Sequence, residues 1–365
     1  MRDEHSGHDI SLPASQSRQI DRCPAPGDMS AHPITQSGGR GLLDRYVDQV
    51  LPERKLRLAT RTSPMARAQA DHVARLLTAV LPDLTVDIVG IETSGDRWQG
   101  DLAQLGGKGA FLKEIDRALV TGMADAAVHC LKDVPGDIPL PPGLVFAAYL
   151  PRQDVRDVAV FRTGSPYHDL ADLPPGTRVG TSSVRRKAQL LRWRPDLAIE
   201  RIRGNVNSRL ARLDSDGKVE ALVLNASGLA RIGGAGDRAV QLLDTDMMCP
   251  AIGAGVLAIQ CSDRDTGIVE LIRTLDDPDT RLHVTAERAM LRGLQGHCNS
   301  PIAGYCTTTA DGQLSLIGMV FTREGGQFVY THEWDTPGRA RELGEYVAAV
   351  LNRKGAQDII AGSPH

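Results

Sequence analysis

The chain has few aromatic residues, 4% of 365, and few lysines, seven of its 42 basic residues. Its formal net charge is only −3. Nucleic-acid proteins present a net basic face and often stacking rings, so these shortages argue against that class. No two of the six cysteines form a Cys-x-x-Cys pair, which removes the usual signature of a zinc or iron–sulfur site. A disulfide framework is not expected in so long a chain, so the thiols read as reduced and the compartment as cytosolic. No apolar run reaches bilayer length, which excludes a membrane-spanning helix. What is present is a hydrophobic fraction of 41%, enough for two or three domains with their own cores.

Residues 1–53 are rich in Ser, Pro, Gly, His and Asp, lack apolar periodicity, and read as a disordered leader. Acidic residues from Asp3 to Asp28 argue against a transit peptide. Order is expected from residue 54. Leu56–Thr60 predicts a strand, Ser63-Pro64 a capped helix start, and Met65 to Val80 the helix itself. Thr85–Gly90 predicts a second strand. The Gly-rich loop Leu105–Gly109 leads into a helix over Ala110–Leu119, and the apolar run Ala124–Leu131 predicts a buried parallel strand. Beyond it, strands are predicted at Val155–Phe161, Arg178–Thr181, Ala198–Arg201 and Glu220–Leu224, with helices at Val184–Trp193 and Val206–Leu213. This alternation implies α/β domains with mostly parallel sheets. Pro250–Gly255 and the run to Cys261 offer a return to the first unit. A helix at Thr280–Leu294, a turn at Asp311-Gly312, strands at Gln313–Phe321 and Gln327–Glu333, and a helix after Pro337 predict a small α+β domain. The expected domains are 54–150 with 252–272, then 151–250, then 276–361.

Four arginines stand at strand-to-helix turns: Arg185 and Arg186 in Gly180-Thr-Ser-Ser-Val-Arg-Arg186, Arg203 and Arg209 in Arg203-Gly-Asn-Val-Asn-Ser-Arg209. Most arginines of the chain need no explanation beyond base composition. These, with Arg61 in the same local setting, point to an anion site, because helix starts and guanidinium forks both favour oxyanions. Lys132-Asp133-Val134-Pro135 follows the buried strand, where the ligand crevice of an open α/β sheet lies. Asp133 there serves either proton transfer or a turn. His129 reads as a core histidine. Lys108 and Lys113 either contact an anion or belong to a turning loop; the spacing is not that of a P-loop. Cys298, in Gln295-Gly-His-Cys-Asn-Ser-Pro301, reads either as an ordinary cysteine or as a reactive thiolate.

Together these segments resemble the porphobilinogen deaminase family. The matching stretches are Leu56–Pro64, Gly106–Glu114, His129–Pro135, Gly180–Arg186, Arg203–Val206 and Thr285–Met290 with the Cys298 loop, in the family's order over about residues 54 to 360. The resemblance implies two periplasmic-binding-protein-like domains with mixed, mostly parallel sheets and a small C-terminal α+β domain. It implies condensation of four porphobilinogen molecules into hydroxymethylbilane with loss of ammonia, a transferase reaction of tetrapyrrole biosynthesis, in a cytoplasmic monomer without metal, membrane or nucleic-acid partner. It also implies a dipyrromethane cofactor on a thioether to Cys298, contacted by Lys132, Ser183, Arg185, Arg186 and Arg209. Arg61, Ser63, Arg203, Lys108 and Phe111 are the implied substrate contacts, and Asp133 the implied catalytic acid. Three positions depart from the family pattern: His297 replaces a glycine, Ala254 a glutamine and Gln260 a glutamate. His297 either helps ionise Cys298 or fills space.

Overall fold

A computed structural model describes residues 55–98, 109, 111–296 and 300–362. The leader expected at 1–53, Lys108, His297 and Cys298 lie outside the described residues.

The first sheet opens with β1 (Lys55–Arg61), helix α1 (Pro64–Val80) and β2 (Thr85–Ile91). Ser63 caps α1 by accepting the Ala66 N–H, and Pro64 occupies the first turn, as the sequence predicts. Ala66, Ala70, Val73 and Leu77 recur at helical spacing and are buried, and Ala70, Val73 and Leu77 pack on Leu56 and Leu58 of β1. The short α2 (Ser94–Arg97) and α3 (Lys113–Val120) precede β3 (Ala126–Cys130). α3 starts three residues later than the apolar pattern suggests. β3 is shorter than the apolar run, because Leu131–Asp133 turns into a 3-10 segment closed by Val134 N–H to the Leu131 carbonyl at 3.0 Å. β4 (Leu144–Tyr149) follows a proline-rich stretch and carries no clear period, so it was not legible in the sequence.

The second sheet holds β5 (Asp157–Phe161), β6 (Arg178–Gly180), β7 (Ala198–Glu200), β8 (Ala221–Asn225) and β9 (Val240–Leu243). Helix α4 (Val184–Trp193) joins β6 to β7, α5 (Val206–Ser215) joins β7 to β8, and α6 (Ala226–Arg231) leaves β8. The chain then returns to the first sheet as β10 (Leu257–Ser262), giving the orders β2-β1-β3-β10-β4 and β7-β6-β8-β5-β9. Both sheets are mixed. β1 pairs parallel with β2 and β3, and β6 with β7 and β8; the strands of the two crossings, β10 and β5, pair antiparallel with their neighbours.

Helix α7 (Thr266–Arg273) covers the first sheet, and α8 (Pro278–Gly293) leads to a third, antiparallel sheet of β11 (Ile302–Thr308), β12 (Leu314–Phe321) and β13 (Phe328–Asp335). The Asp311-Gly312 turn lies between β11 and β12 as predicted. α9 (Ala340–Arg353) packs with α8 on this sheet through Met290, Leu316, Leu343, Val347 and Leu351, and α10 (Ala356–Ala361) closes the described chain.

Glu287 of α8 is fully buried and ties these parts together. It accepts from Arg152 Nη1 (2.6 Å), the Gly253 N–H (2.7 Å) and the Cys306 N–H (2.8 Å). Arg152 and Gly253 lie on the two connectors between the large sheets, which also bond each other through Gln153 N–H to the Gly255 carbonyl at 3.0 Å. A buried ion pair of this kind is costly to break, because the surviving charge is stranded.

Candidate active site

A cavity of about 730 Å³ lies between the two five-stranded sheets. Its wall is built from residues at or past the carboxyl ends of strands: Arg61 at the end of β1, Lys132 and Asp133 after β3, Ser183, Arg185 and Arg186 after β6, Arg203 and Arg209 after β7, Asn225 at the end of β8. Strand ends are where an open α/β sheet presents side chains and backbone dipoles to a ligand. Phe111, Ser63, Met65 and Leu291 also line it.

The arginines are not equivalent. Arg185 donates from Nη2 to Asp157 Oδ2 (2.5 Å) and from Nη1 to the Cys249 carbonyl (2.6 Å), so both ends of its fork are engaged. Arg186 donates from Nη2 to the other Asp157 oxygen (2.7 Å) and from Nη1 to the Val223 carbonyl (3.1 Å), while its buried Nε has no partner among the described residues. Asp157 is buried; burial pushes its carboxyl up, but the two guanidiniums outweigh this and hold it at about 2. Arg61 is paired with Asp96 and lies over the Phe111 ring, its guanidinium carbon 4.1 Å from the centroid. Burial works against the charge of Arg61, and the hydrogen bond to Asp96 with the nearby Asp133 carboxylate raises its pKa overall.

Arg209 is the cation left short of anions. Its Nε reaches the Gly204 carbonyl at 2.7 Å. Burial, then the charges of Arg186 and Arg203, press its pKa down to about 10, with Asp133 the one opposing charge among the described residues. The side chains of Asp133 and Lys132 make no hydrogen bond or salt bridge with any described residue, although both line the cavity. Ser63 and Ser183 are engaged first as helix caps, Ser63 for α1 and Ser183 for α4, where it accepts the Arg186 N–H. The pattern is a cluster of guanidiniums around a free carboxylate, suited to a ligand that carries several anions and a cationic or N–H centre.

His129 is buried and neutral, pushed down to about 4 by burial against a weaker opposing effect of Gln260. It is a core histidine, as read from the sequence. Gln260 is itself buried and donates to Asp116 at 2.9 Å. Ala254 lines the cavity, and its carbonyl accepts from Arg152 Nε at 3.0 Å. Cys130, Cys249, Cys261 and Cys306 are free thiols. Burial pushes the last three up to about 12, which leaves them unreactive. No cluster of metal-ligating side chains occurs among the described residues.

Two acids that organise the site were not anticipated. Asp96 had a visible signal: Thr93-Ser-Gly-Asp96 is a capping-box spacing, and the structure forms that box. Asp157 had a fainter one, an aspartate at the head of the apolar run Val158–Phe161.

Comparison with known proteins adds to this geometry. Residues 56–270 match the family model described as porphobilinogen deaminase, dipyromethane cofactor binding domain, and residues 281–353 match that of the porphobilinogen deaminase C-terminal domain. The chain is similar to a Streptomyces coelicolor protein named porphobilinogen deaminase 2, with 50% identity over 310 residues, 85% of this chain and 97% of that one. It is also similar to proteins named porphobilinogen deaminase from Syntrophotalea carbinolica, 42% identical across 84% of this chain and 95% of the relative, and from Syntrophobacter fumaroxidans, 41% identical across 85% and 98%.

Proposed function

Because the chain belongs to the porphobilinogen deaminase family, we propose that its cleft joins four porphobilinogen molecules head to tail into hydroxymethylbilane, releasing one ammonia per unit. It is an enzyme of tetrapyrrole biosynthesis, a transferase forming carbon–carbon links between pyrroles. The observation that carries the reading is an Asp133 carboxylate without a hydrogen-bond partner among the described residues, lining one cavity with Arg186, Arg203 and Arg209 and close enough to Arg209 to favour its charge.

The family's dipyrromethane cofactor fits this donor set. Each of its two pyrroles carries an acetate and a propionate, and the cluster has guanidiniums in excess of acids, with a buried Arg186 Nε lacking a partner. When bound, the cofactor supplies the pyrrole carbon to which the first substrate is joined. Its anchor is Cys298, as the family resemblance implies; burial holds the Cys249, Cys261 and Cys306 thiols protonated. Arg186 and Arg209 hold cofactor carboxylates with help from Lys132 and Ser183. Arg185 contributes by sharing Asp157 with Arg186, which fixes the direction of that guanidinium. Arg61, Ser63, Arg203, Lys108 and Phe111 receive the incoming substrate. Each charge-assisted contact in such a setting contributes about 1.5–3 kcal/mol.

Asp133 handles charge and protons. Breaking the substrate's C–N bond expels ammonia and leaves a cationic azafulvene, which a carboxylate beside the pyrrole N–H stabilises. After the new C–C bond forms, the ring carbon gives up its proton, and Asp133 is the acceptor within the site. The proposed division of the chain is 54–150 with 252–272, then 151–250, then 276–361. Among the described residues no helix is long and apolar enough to cross a membrane; a cytoplasmic monomer is the proposed setting.

Intact mass of the protein purified from porphobilinogen-producing cells tests the whole reading. The expected mass exceeds the polypeptide by one dipyrromethane, located by peptide mapping on Cys298. An unmodified mass, or Arg186→Leu that elongates the chain at the normal rate, would refute the assignment.

A further inference from the structure

The Asp133 side chain makes no hydrogen bond with the described residues, so its place is set through the backbone around it. That backbone is short of internal restraint: one hydrogen bond closes the 3-10 turn, and Pro135 offers no N–H. It is held from two sides instead. On one side, Leu131 N–H donates to the Val256 carbonyl at 3.0 Å. Leu131 also lies against Gly253, where a Cβ would stand 2.9 Å from Leu131 Cγ.

On the other side stands α8. Arg288 donates from Nη1 to the Val134 carbonyl at 3.3 Å and from Nη2 to the Pro135 carbonyl at 3.0 Å. These are the two carbonyls immediately after Asp133. The guanidinium is backed by the Phe146 ring of β4, with its carbon 5.9 Å from the centroid. Arg288 does not line the cavity, so it is no ligand for substrate carboxylates there. One turn further along the same face, Leu291 fills the space beside Gly136. A Cβ at Gly136 would come within 2.5 Å of Leu291 Cγ and Cδ2, so only glycine allows this approach.

We propose that Arg288 and Leu291 are positioning residues for Asp133. Two hydrogen bonds and one tight contact from a rigid helix fix the Val134–Gly136 backbone, and with it the point from which the carboxylate acts on each successive pyrrole. The inference rests on reading Asp133 as the proton-handling group. Its magnitude follows from geometry: a shift of about 1 Å in a reacting group costs on the order of 100-fold in rate.

The test uses the cofactor-loaded enzyme. Arg288→Met is expected to load its cofactor fully by intact mass and keep KM within about threefold, while kcat falls roughly 10- to 100-fold. Arg288→Lys, which keeps one donor without the fork, is expected to recover part of that loss. Gly136→Ala serves where Arg288→Met does not fold: it lowers kcat, and adding Leu291→Ala restores much of it by making room for the methyl group. A kcat within twofold of the parent in Arg288→Met, or equal losses in the Met and Lys variants with incomplete cofactor loading, overturns the proposal. Asp133→Asn run alongside separates the layers. Normal turnover in that variant removes the reading of Asp133 and this inference with it; an inactive Asp133→Asn beside a normal Arg288→Met removes only the inference.

Discussion

Asp157→Asn removes one negative charge from beneath two cleft arginines and keeps the shape of the side chain. Asp157 is 1% exposed and meets Arg185 at 2.5 Å and Arg186 at 2.7 Å. Its carboxyl is held at about 2, against 3.8 for the free group. At about 1.4 kcal/mol per unit, that difference contributes roughly 2–3 kcal/mol at neutral pH. Stranding two buried guanidiniums raises the cost of substitution to about 3–5 kcal/mol. The sign with pH follows from the depressed value. The contribution is complete above the unfolded pKa and is lost as pH falls toward the folded one; linkage puts about 1 kcal/mol of it gone by pH 3. Urea unfolding of parent and variant between pH 7 and pH 3 reads both quantities. The gap between the two proteins should be several kcal/mol at pH 7 and narrow by about 1 kcal/mol at pH 3. A gap below about 0.5 kcal/mol at pH 7, the range of ordinary surface substitutions, would show that Asp157 does not hold these arginines.

Asp133→Asn is expected to keep the cofactor and the melting temperature of the parent while losing activity by roughly 10²- to 10⁴-fold, the usual worth of a positioned proton-transfer group; bilane formation and intact mass check it together. Arg209→Leu should leave the apoprotein at least as stable as the parent, because it removes a cation that burial, Arg186 and Arg203 all disfavour, yet lower the fraction of protein that carries the cofactor; thermal unfolding of apoprotein and intact mass measure the two effects, and a destabilised apoprotein would contradict the charge argument. His129 is neutral when folded, at about 4 against 6.5 for the free group, so the unfolded chain takes up its proton first as pH falls. The parent should therefore lose about 3 kcal/mol more stability than His129→Leu between pH 7 and pH 4, with no change in the pH dependence of turnover from pH 6 to 8; a turnover profile that lost an ionisation in that range would make His129 part of the chemistry.

Local chemistry made much of the molecule readable. Ser63-Pro64 announces α1 because a hydroxyl cap and a proline suit the first turn and little else. The span of α4 is Val184–Trp193 in both sequence and structure, since Ser183 caps its start and Arg194 closes its end with an N–H to the Leu190 carbonyl. β4 and β9 are not legible, because their positions depend on pairing with β10 and β5, far away in sequence, and they have no period of their own; β11, which pairs with the adjacent β12, is not legible either. Strand ends were overextended at Val155–Arg156, where Arg156 turns to pair with Asp154 at 2.8 Å.

The sequence by itself determined the class of ligand. Arginines at helix starts favour oxyanions in any fold that keeps those turns, and the slight net charge confines that preference to a few places. Which arginines remain free for a ligand was decided only by the tertiary structure. Arg185 and Arg186 look alike in the chain, yet β5 brings Asp157 beneath both, and Cys249 takes what is left of Arg185. Arg61 is likewise turned to Asp96, while Arg209 is packed among like charges with Asp133 opposite. The reason is range. A turn and its cap are set by a few adjacent residues, whereas the pairing of a buried charge depends on which groups the sheets bring within a few ångströms, after water that would otherwise screen them has been excluded.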